Sequence, residues 1–390
     1  MPLPPSFTLL QVVPELETGG AEQTTLDIAR AVVRGGGRAL VAARGGRMVS
    51  ALEADGGKLT AMPVHSKNPL VMLANTVRLV RLVRKEGVSL IHVRSRAPAF
   101  AALWAAKMTG VPLVATYHGV YRAQNPLKRW YNAIMTRGDL VIANSDYTRS
   151  HVLSEHHLDP RRIISIPRGV NLEWFDAEKV APERVEALRR AWGISANDRR
   201  LKLLLAGRLT RLKGHLTVIA AAAKLKAQGQ EGFLILFVGD DHQGRSGYRA
   251  EVEAAIAAAD LGDQIRIVGH CDDMPAAYLL ADVAILPSTQ PESFGRTAVE
   301  PQAMGRPVIA SDHGGTVETV VEGHTGWRVA PGDAAAWAKG IEVVLATGPA
   351  GLAAMGVAAA ERANRLYSVN SMCAGTLGAY ERVLKARGSY

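Results

Sequence analysis

Two glutamates, Glu292 and Glu300, stand with seven residues between them in the stretch PESFGRTAVE (291–300). An apolar run at 282–287 precedes them and another at 307–311 follows. The spacing predicts a loop and then a helix from near Thr297 to Gly305, with Glu292 in the loop and Glu300 in the first or second helical turn. Gly295 permits a close backbone approach to a ligand. Carboxylates here suit a hydroxyl-rich ligand, because each oxygen accepts charge-assisted hydrogen bonds. The plain alternative for Glu300 is a first-turn acid complementing the helix dipole. Pro301 predicts a late start or a bend, since proline is awkward inside a helix.

A second group lies in LLLAGRLTRLKGH (203–215). A buried strand ends at Gly207, Arg208 and Lys213 follow in a loop, and a helix opens near Gly214–His215. Two cations beside a positive helix end form a natural seat for a diphosphate. The spacing of a P-loop is absent. In SDHGGTVETV (311–320), Gly314 and Gly315 follow another strand and precede a helix with Glu318 in its first turn, which suits backbone N–H groups to an anion, with a plain tight turn as the alternative that spacing alone favours. In the first half, His118 follows a strand in ATYHGVY and is placed to donate a hydrogen bond or act in acid–base chemistry. Gly19–Gly20 follow the first strand without a G-x-G-x-x-G pattern, which disfavours nicotinamide binding.

The elements that must position these residues alternate regularly. Apolar runs at 7–13, 38–43, 90–95, 112–118, 140–145 and 162–169 are separated by mostly helix-like segments. After a polar stretch at 169–200 a second series follows at 201–207, 233–239, 265–270, 283–288, 307–311 and 326–330. Buried strands alternating with helices give parallel sheets covered on both faces. The expected fold is α/β, with two doubly wound Rossmann-like domains facing across a central cleft, and each candidate residue lies just after a strand, where such sheets bind ligands. The expected domains are 1–175 and 176–370, with a hinge near 171–179 and a terminal helix at 371–390 packing back on the first domain.

At 390 residues, two domains are the default. The two cysteines, Cys271 and Cys373, provide no disulfide framework. The start reads as a strand rather than a targeting segment, and the richest apolar run noted, at 97–106, stops short of a membrane span. The net charge is +10, and all the excess lies up to Phe175, with 22 Lys and Arg against 12 Asp and Glu. That bias points to an anionic partner for the first domain. Arg78, Arg81 and Lys85 fall on one helical stripe, and Lys128 and Arg129 sit beside Trp130 and Tyr131, a pattern suited to an anionic membrane surface. Solvated helix faces are the plain alternative. Nucleic acid is disfavoured, since aromatic residues make up only 5% of the chain.

Taken together, GG at 19–20, YHG at 117–119, IPRGVNLEWF at 166–175, GRLTRLKG at 207–214, PSTQPESFGRTAVEPQAMGRPVIAS at 287–311 and the later GG with Glu318 resemble the retaining glycosyltransferases of family 4, which have the GT-B fold. The resemblance implies that Arg208 and Lys213 bind the donor diphosphate, Glu292 the transferred sugar and Glu300 the ribose. It places the Phe294–Gly295 backbone and Gly314–Gly315 near sugar and phosphates, His118 at the donor sugar, and Gly19–Gly20 at the phosphate. Two positions depart from the family pattern: Arg168, where asparagine is frequent, and Pro301.

The implied activity is transfer of a hexose from a nucleotide diphosphate sugar, a substrate rather than a cofactor, with no metal. The implied acceptor is a glycan or lipid-linked molecule of cell-surface polysaccharide or lipopolysaccharide synthesis. The implied location is the cytoplasm, peripheral on the inner face of the inner membrane. A GT-B sugar-nucleotide epimerase and a non-catalytic sugar-nucleotide-binding protein are the alternatives.

Overall fold

The computed structural model describes residues 6–17, 19–121, 125–241 and 247–388. The first sheet comprises β1 (Thr8–Val12), β2 (Arg38–Ala43), β3 (Lys58–Ala61), β4 (Leu90–Val93), β5 (Leu113–Tyr117), β6 (Leu140–Ala143) and β7 (Ile163–Ser165). All pairings are parallel, in the order β3-β2-β1-β4-β5-β6-β7. The strands are short runs of Leu, Val, Ile and Ala because both faces are covered. Leu10, Val12, Ile91 and Val93 belong to one apolar cluster, while Leu9, Val41, Leu90 and Val114 belong to another.

The second sheet comprises β8 (Leu201–Ala206), β9 (Phe233–Val238), β10 (Ile265–Gly269), β11 (Val283–Leu286), β12 (Val308–Ser311) and β13 (Gly326–Val329), in the parallel order β10-β9-β8-β11-β12-β13. In each sheet the strand order reverses once, between β1 and β4 and between β8 and β11. At such a reversal the flanking crossovers leave to opposite faces, so a crevice opens beyond the strand ends. Sequence reading anticipated twelve of these strands and missed β3, a short edge strand with no buried residue.

The chain divides into one unit of Met1–Gly169 with Val369–Tyr390 and another of Val170–Ser368. The divide therefore falls ahead of the expected 175/176. Val170 N–H donates to Tyr367 O, and Phe175 packs with Tyr278 in the second unit's core, which commits 170–175 to that unit. The helix Ala334–Leu366 is long and apolar enough to cross a membrane by length and composition, a stretch the sequence reading passed over. Gly348, at φ 68°, interrupts it just before Pro349. Its Trp337, Ile341, Val344 and Leu352 pack with Phe233, Ile235 and Val329, so in this fold it covers the sheet.

The last helix, Val369–Ala386, returns to the first unit and buries Met372, Tyr380, Val383 and Leu384 against Leu9, Leu26 and Ile28. Tyr380 Oη lies 2.5 Å from Nδ1 of the fully buried His92, whose Nε2 lies 2.7 Å from Thr116 Oγ1. Burial, with Arg94 nearby, holds His92 well below the usual imidazole range, so the ring is neutral. Tyr380→Phe leaves a buried imidazole nitrogen without its hydroxyl. It is expected to cost about 1–3 kcal/mol, read as a lowered urea midpoint; an unchanged midpoint contradicts this role of the helix.

Candidate functional site

The strand-order reversal in the second unit determines which loops meet. β8 and β11 are neighbours there, paired at Val283 with Leu203 and Ala284 with Leu204. The loop after β8 passes Gly207 and Arg208 and makes a single 3-10 turn at Arg211–Lys213 before the helix His215–Ala227 begins. The loop after β11 carries Ser288 and Glu292. Lys213 Nζ lies 2.6 Å from Glu292 Oε1, with both side chains about three-quarters buried. Ser288 Oγ donates to the same oxygen at 2.9 Å, and His313 Nε2 lies 2.9 Å from Ser288 O. Since a carbonyl only accepts, that nitrogen of His313 carries the proton.

Burial pushes the Glu292 carboxyl up. The Lys213 charge and hydrogen bond, with Ser288 and His313, more than offset it and hold the group below the usual range. Glu292 is therefore an anion at neutral pH. Arg208 is exposed and makes no hydrogen bond or ion pair among the described residues. Two residues expected to serve different parts of a ligand, Lys213 and Glu292, are thus bonded to each other, while Arg208 stands open.

Glu300 occupies the second turn of the helix Arg296–Ala303. Gly295 caps that helix at φ 84°, a left-handed conformation that glycine adopts without strain. The helix begins at Arg296, so the late start expected from Pro301 does not occur. Pro301 sits in the second half, buried, and its carbonyl accepts from Met304 and Arg306 N–H in the closing turn. Glu300 Oε1 accepts from Arg296 Nη2 at 2.9 Å, and Oε2 accepts from Tyr278 Oη at 3.3 Å. Burial raises its carboxyl, and Arg296 and Tyr278 only partly oppose that. A carboxylate has about four acceptor positions, so these two bonds leave capacity for a ligand hydroxyl.

Of the paired glycines, Gly315 follows the tight-turn alternative. Gly315 N–H donates to Glu292 O at 2.7 Å, so it is not turned toward an anion. A Cβ on Gly314 would lie 2.5 Å from Glu292 O, and one on Gly315 would lie 2.6 Å from Phe294 Cα. Only glycine lets this turn pack flat on the backbone of 292–294, and that packing holds Glu292 at its post. The Phe294 side chain is core, edge-on to Tyr367 with ring centroids 5.5 Å apart.

In the first unit, His118 follows β5 and is partly buried. Arg168 Nη2 lies 3.0 Å from His118 Nδ1 and donates to His118 O at 3.2 Å. A guanidinium only donates, so Nδ1 accepts and Nε2 carries the ring proton. Burial, then Arg168, Arg94 and His92, hold this imidazole well below its usual range. His118 is therefore a neutral hydrogen-bond donor at neutral pH, and the acid–base alternative is disfavoured. Gly19 caps the helix Gly20–Arg34, and Arg168 Nη1 lies 2.1 Å from where a Cβ on Gly20 would stand. Gly20, His118 and Arg168 thus form one group.

Sequence reasoning noted Arg168 only as a departure and missed Arg94, which is 2% exposed and donates from Nε to Gln11 Oε1 at 2.8 Å. Its position directly after the recognised strand β4 was the available signal, and the structure adds that β4 stands at the strand-order reversal. Ser288 and His313 were also missed; each follows a strand end that had been recognised.

Residues 189–362 match the family model of glycosyl transferases group 1, and residues 18–174 match that of glycosyltransferase family 4. A 2-deoxystreptamine glucosyltransferase of Streptomyces kanamyceticus is 30% identical over 337 residues, spanning 81% of this chain and 83% of that protein. A D-inositol 3-phosphate glycosyltransferase of Pseudarthrobacter chlorophenolicus is 31% identical over 287 residues, 70% of this chain and 66% of that one, just under two thirds of its length. A solved glycosyltransferase of Rickettsia africae matches with a TM-score of 0.90 and 34% identity, covering 97% of this chain and 99% of that one.

The raised Glu300 carboxyl has a consequence for stability. The folded protein holds this proton more tightly than the unfolded chain, so ionisation costs stability. The cost is absent below the unfolded carboxyl range and complete above the folded pKa. Glu300→Gln removes it: the variant is expected to unfold at higher urea than the parent at pH 7, with the gap closing as pH falls through the carboxyl range. A lower midpoint at pH 7 contradicts the assignment.

Proposed function

The chain belongs to glycosyltransferase family 4, with the GT-B fold, and from that premise we propose that it transfers a hexose, with retention, from a nucleoside diphosphate sugar to a glycan or lipid-linked acceptor of cell-surface polysaccharide or lipopolysaccharide synthesis. The observation that carries the donor half of this reading is the Lys213–Glu292 pair at the strand-order reversal of the second sheet. A cation and an anion that satisfy each other can each turn to a ligand carrying the opposite need. The diphosphate offers negative oxygens to Lys213 and Arg208; the sugar offers hydroxyl donors to Glu292.

As the sugar–oxygen bond breaks, negative charge grows on the terminal phosphate. Lys213, Arg208 and the start of the helix His215–Ala227 stand where that charge develops and stabilise the transition state more than the ground state. No metal is needed for this neutralisation. The acceptor attacks from the leaving-group face, and the departing phosphate takes its proton, so no enzyme carboxylate acts as nucleophile. Neutral His118 donates a hydrogen bond to the donor sugar, with Arg168 fixing its tautomer. The enzyme works in the cytoplasm, at the inner face of the membrane.

A second acceptor reading is a small cyclitol, favoured by two relatives named as a 2-deoxystreptamine and an inositol phosphate transferase. Screening UDP- and GDP-sugars for thermal stabilisation identifies the donor, with a ligand at a hundred times its Kd adding about 2.7 kcal/mol. Activity on a cyclitol but not on a lipid-linked sugar decides for the second reading. With the donor in hand, Lys213→Ala is expected to lower turnover about 100- to 1,000-fold with an unchanged circular dichroism spectrum. Full activity in that variant overturns the diphosphate assignment.

A further inference from the structure

The excess charge is more concentrated than the halves of the chain reveal. Residues 62–138 contain 12 Lys and Arg and one acid, Glu86, against totals of 46 and 36; the rest of the chain holds 34 against 35 and is nearly neutral. Glu86 is paired with Arg38, so it does not oppose the excess.

The same segment carries an unusual share of exposed apolar surface. Three of its helices, Pro69–Glu86, Arg96–Thr109 and Pro126–Asn132, make up a tenth of the chain. They hold half of the large apolar side chains exposed among the described residues. Leu70 is 77% exposed, Leu73 65%, Trp104 58% and Leu127 75%. The helices are neighbours. The first two interlock through Leu79, Val80 and Val83 with Ala99, Ala102 and Leu103, and Phe100 of the second stacks on Tyr131 of the third at 5.4 Å. On the first helix Leu70, Leu73 and Val77 lead at helical spacing into Arg81 and Arg84, all exposed. Lys107 flanks Trp104, and Lys128 and Arg129 flank Leu127 and Trp130.

We propose that this three-helix face of the first unit docks on an anionic lipid bilayer, with Leu70, Leu73, Trp104, Leu127 and Trp130 entering the interface and the surrounding Lys and Arg meeting lipid phosphates. Charge complementarity selects the lipid: a segment with one acid, whose exposed cations are ion-paired among the described residues only at Arg129, with Glu155 at 3.7 Å, needs a densely anionic partner. The aliphatic side chains select a bilayer over nucleic acid, which gives protruding leucines nothing to enter, while tryptophan beside Lys and Arg is the composition of membrane-interface helices. The proposal rests on the lipid-linked acceptor only for its purpose. Vesicle binding needs no acceptor, so the two readings fail separately.

The test is cosedimentation of the whole protein with vesicles of phosphatidylcholine alone or mixed with phosphatidylglycerol. Binding is expected only to the mixed vesicles at low salt, with release at high salt. Arg81→Glu with Arg84→Glu is expected to weaken it about fivefold or more per residue. Combined Leu70→Ser, Leu73→Ser and Leu127→Ser is expected to weaken it at least about tenfold. Unchanged unfolding midpoints show that both variants fold. Absence of wild-type binding at low salt, or variants that bind like wild type, overturns the proposal. So does a dimer that dissociates in the leucine variant without lipid, because the face is then a contact between copies of this chain.

Discussion

A carboxylate withdrawn from water needs a positive partner, and beyond the ends of the two central strands of the second sheet Glu292 finds it in Lys213. Much of the local architecture follows from holding these two side chains 2.6 Å apart. The strand order brings the loops after β8 and β11 side by side. The 3-10 turn at Arg211–Lys213 folds the first loop back, and Gly214 takes a left-handed conformation against Pro287 O to end it. On the other side, Gly314 and Gly315 give up side chains so that their turn can lie on the Glu292 backbone and bond it. Neither charge could keep its place if either loop moved.

The pair also explains how two charges are held this far from water. A lysine and a glutamate left alone at this depth would each carry a desolvation cost; joined, they largely cancel it. A ligand offering both negative oxygens and hydroxyl donors can separate them without leaving either unsatisfied. Glu300 is handled differently. Burial keeps its pKa raised despite Arg296 and Tyr278, so the fold tolerates a costly carboxylate there. Such a cost at a strand-end helix fits a residue kept for binding rather than stability. In the first unit, Arg168 closes over Gly20 and fixes His118 in one tautomer, which makes that imidazole a donor.

The fold was legible because buried parallel strands are nearly continuous apolar runs, and twelve of thirteen announced themselves that way. β3 did not, because an edge strand with no buried residue has no such pattern. Placement after strand ends made Arg208, Lys213, Glu292, Glu300 and His118 candidates. What each touches could not be read. The Lys213–Glu292 bond depends on the strand order, which the alternation of elements does not specify. The glycines at 314–315 looked like an anion cradle because a tight turn and a close backbone contact require the same residue. Arg94 was passed over and Arg168 noted only as a departure from the family pattern, since a lone arginine in a loop carries no spacing signal. Pro301 raised an expectation of a late helix start, yet the helix begins at Arg296 and its closing turn bonds the Pro301 carbonyl.

The central claim is that Glu292 leaves Lys213 for the sugar while Lys213 turns to the diphosphate. Titration calorimetry measures it most directly, comparing the nucleoside diphosphate with the matching nucleotide sugar in wild type and Glu292→Gln. With the carboxylate gone, Lys213 is released, so the account predicts that the variant binds the diphosphate at least as tightly as wild type and loses the extra affinity for the sugar-bearing donor. A variant that binds the diphosphate much more weakly, yet still prefers the nucleotide sugar, would contradict it.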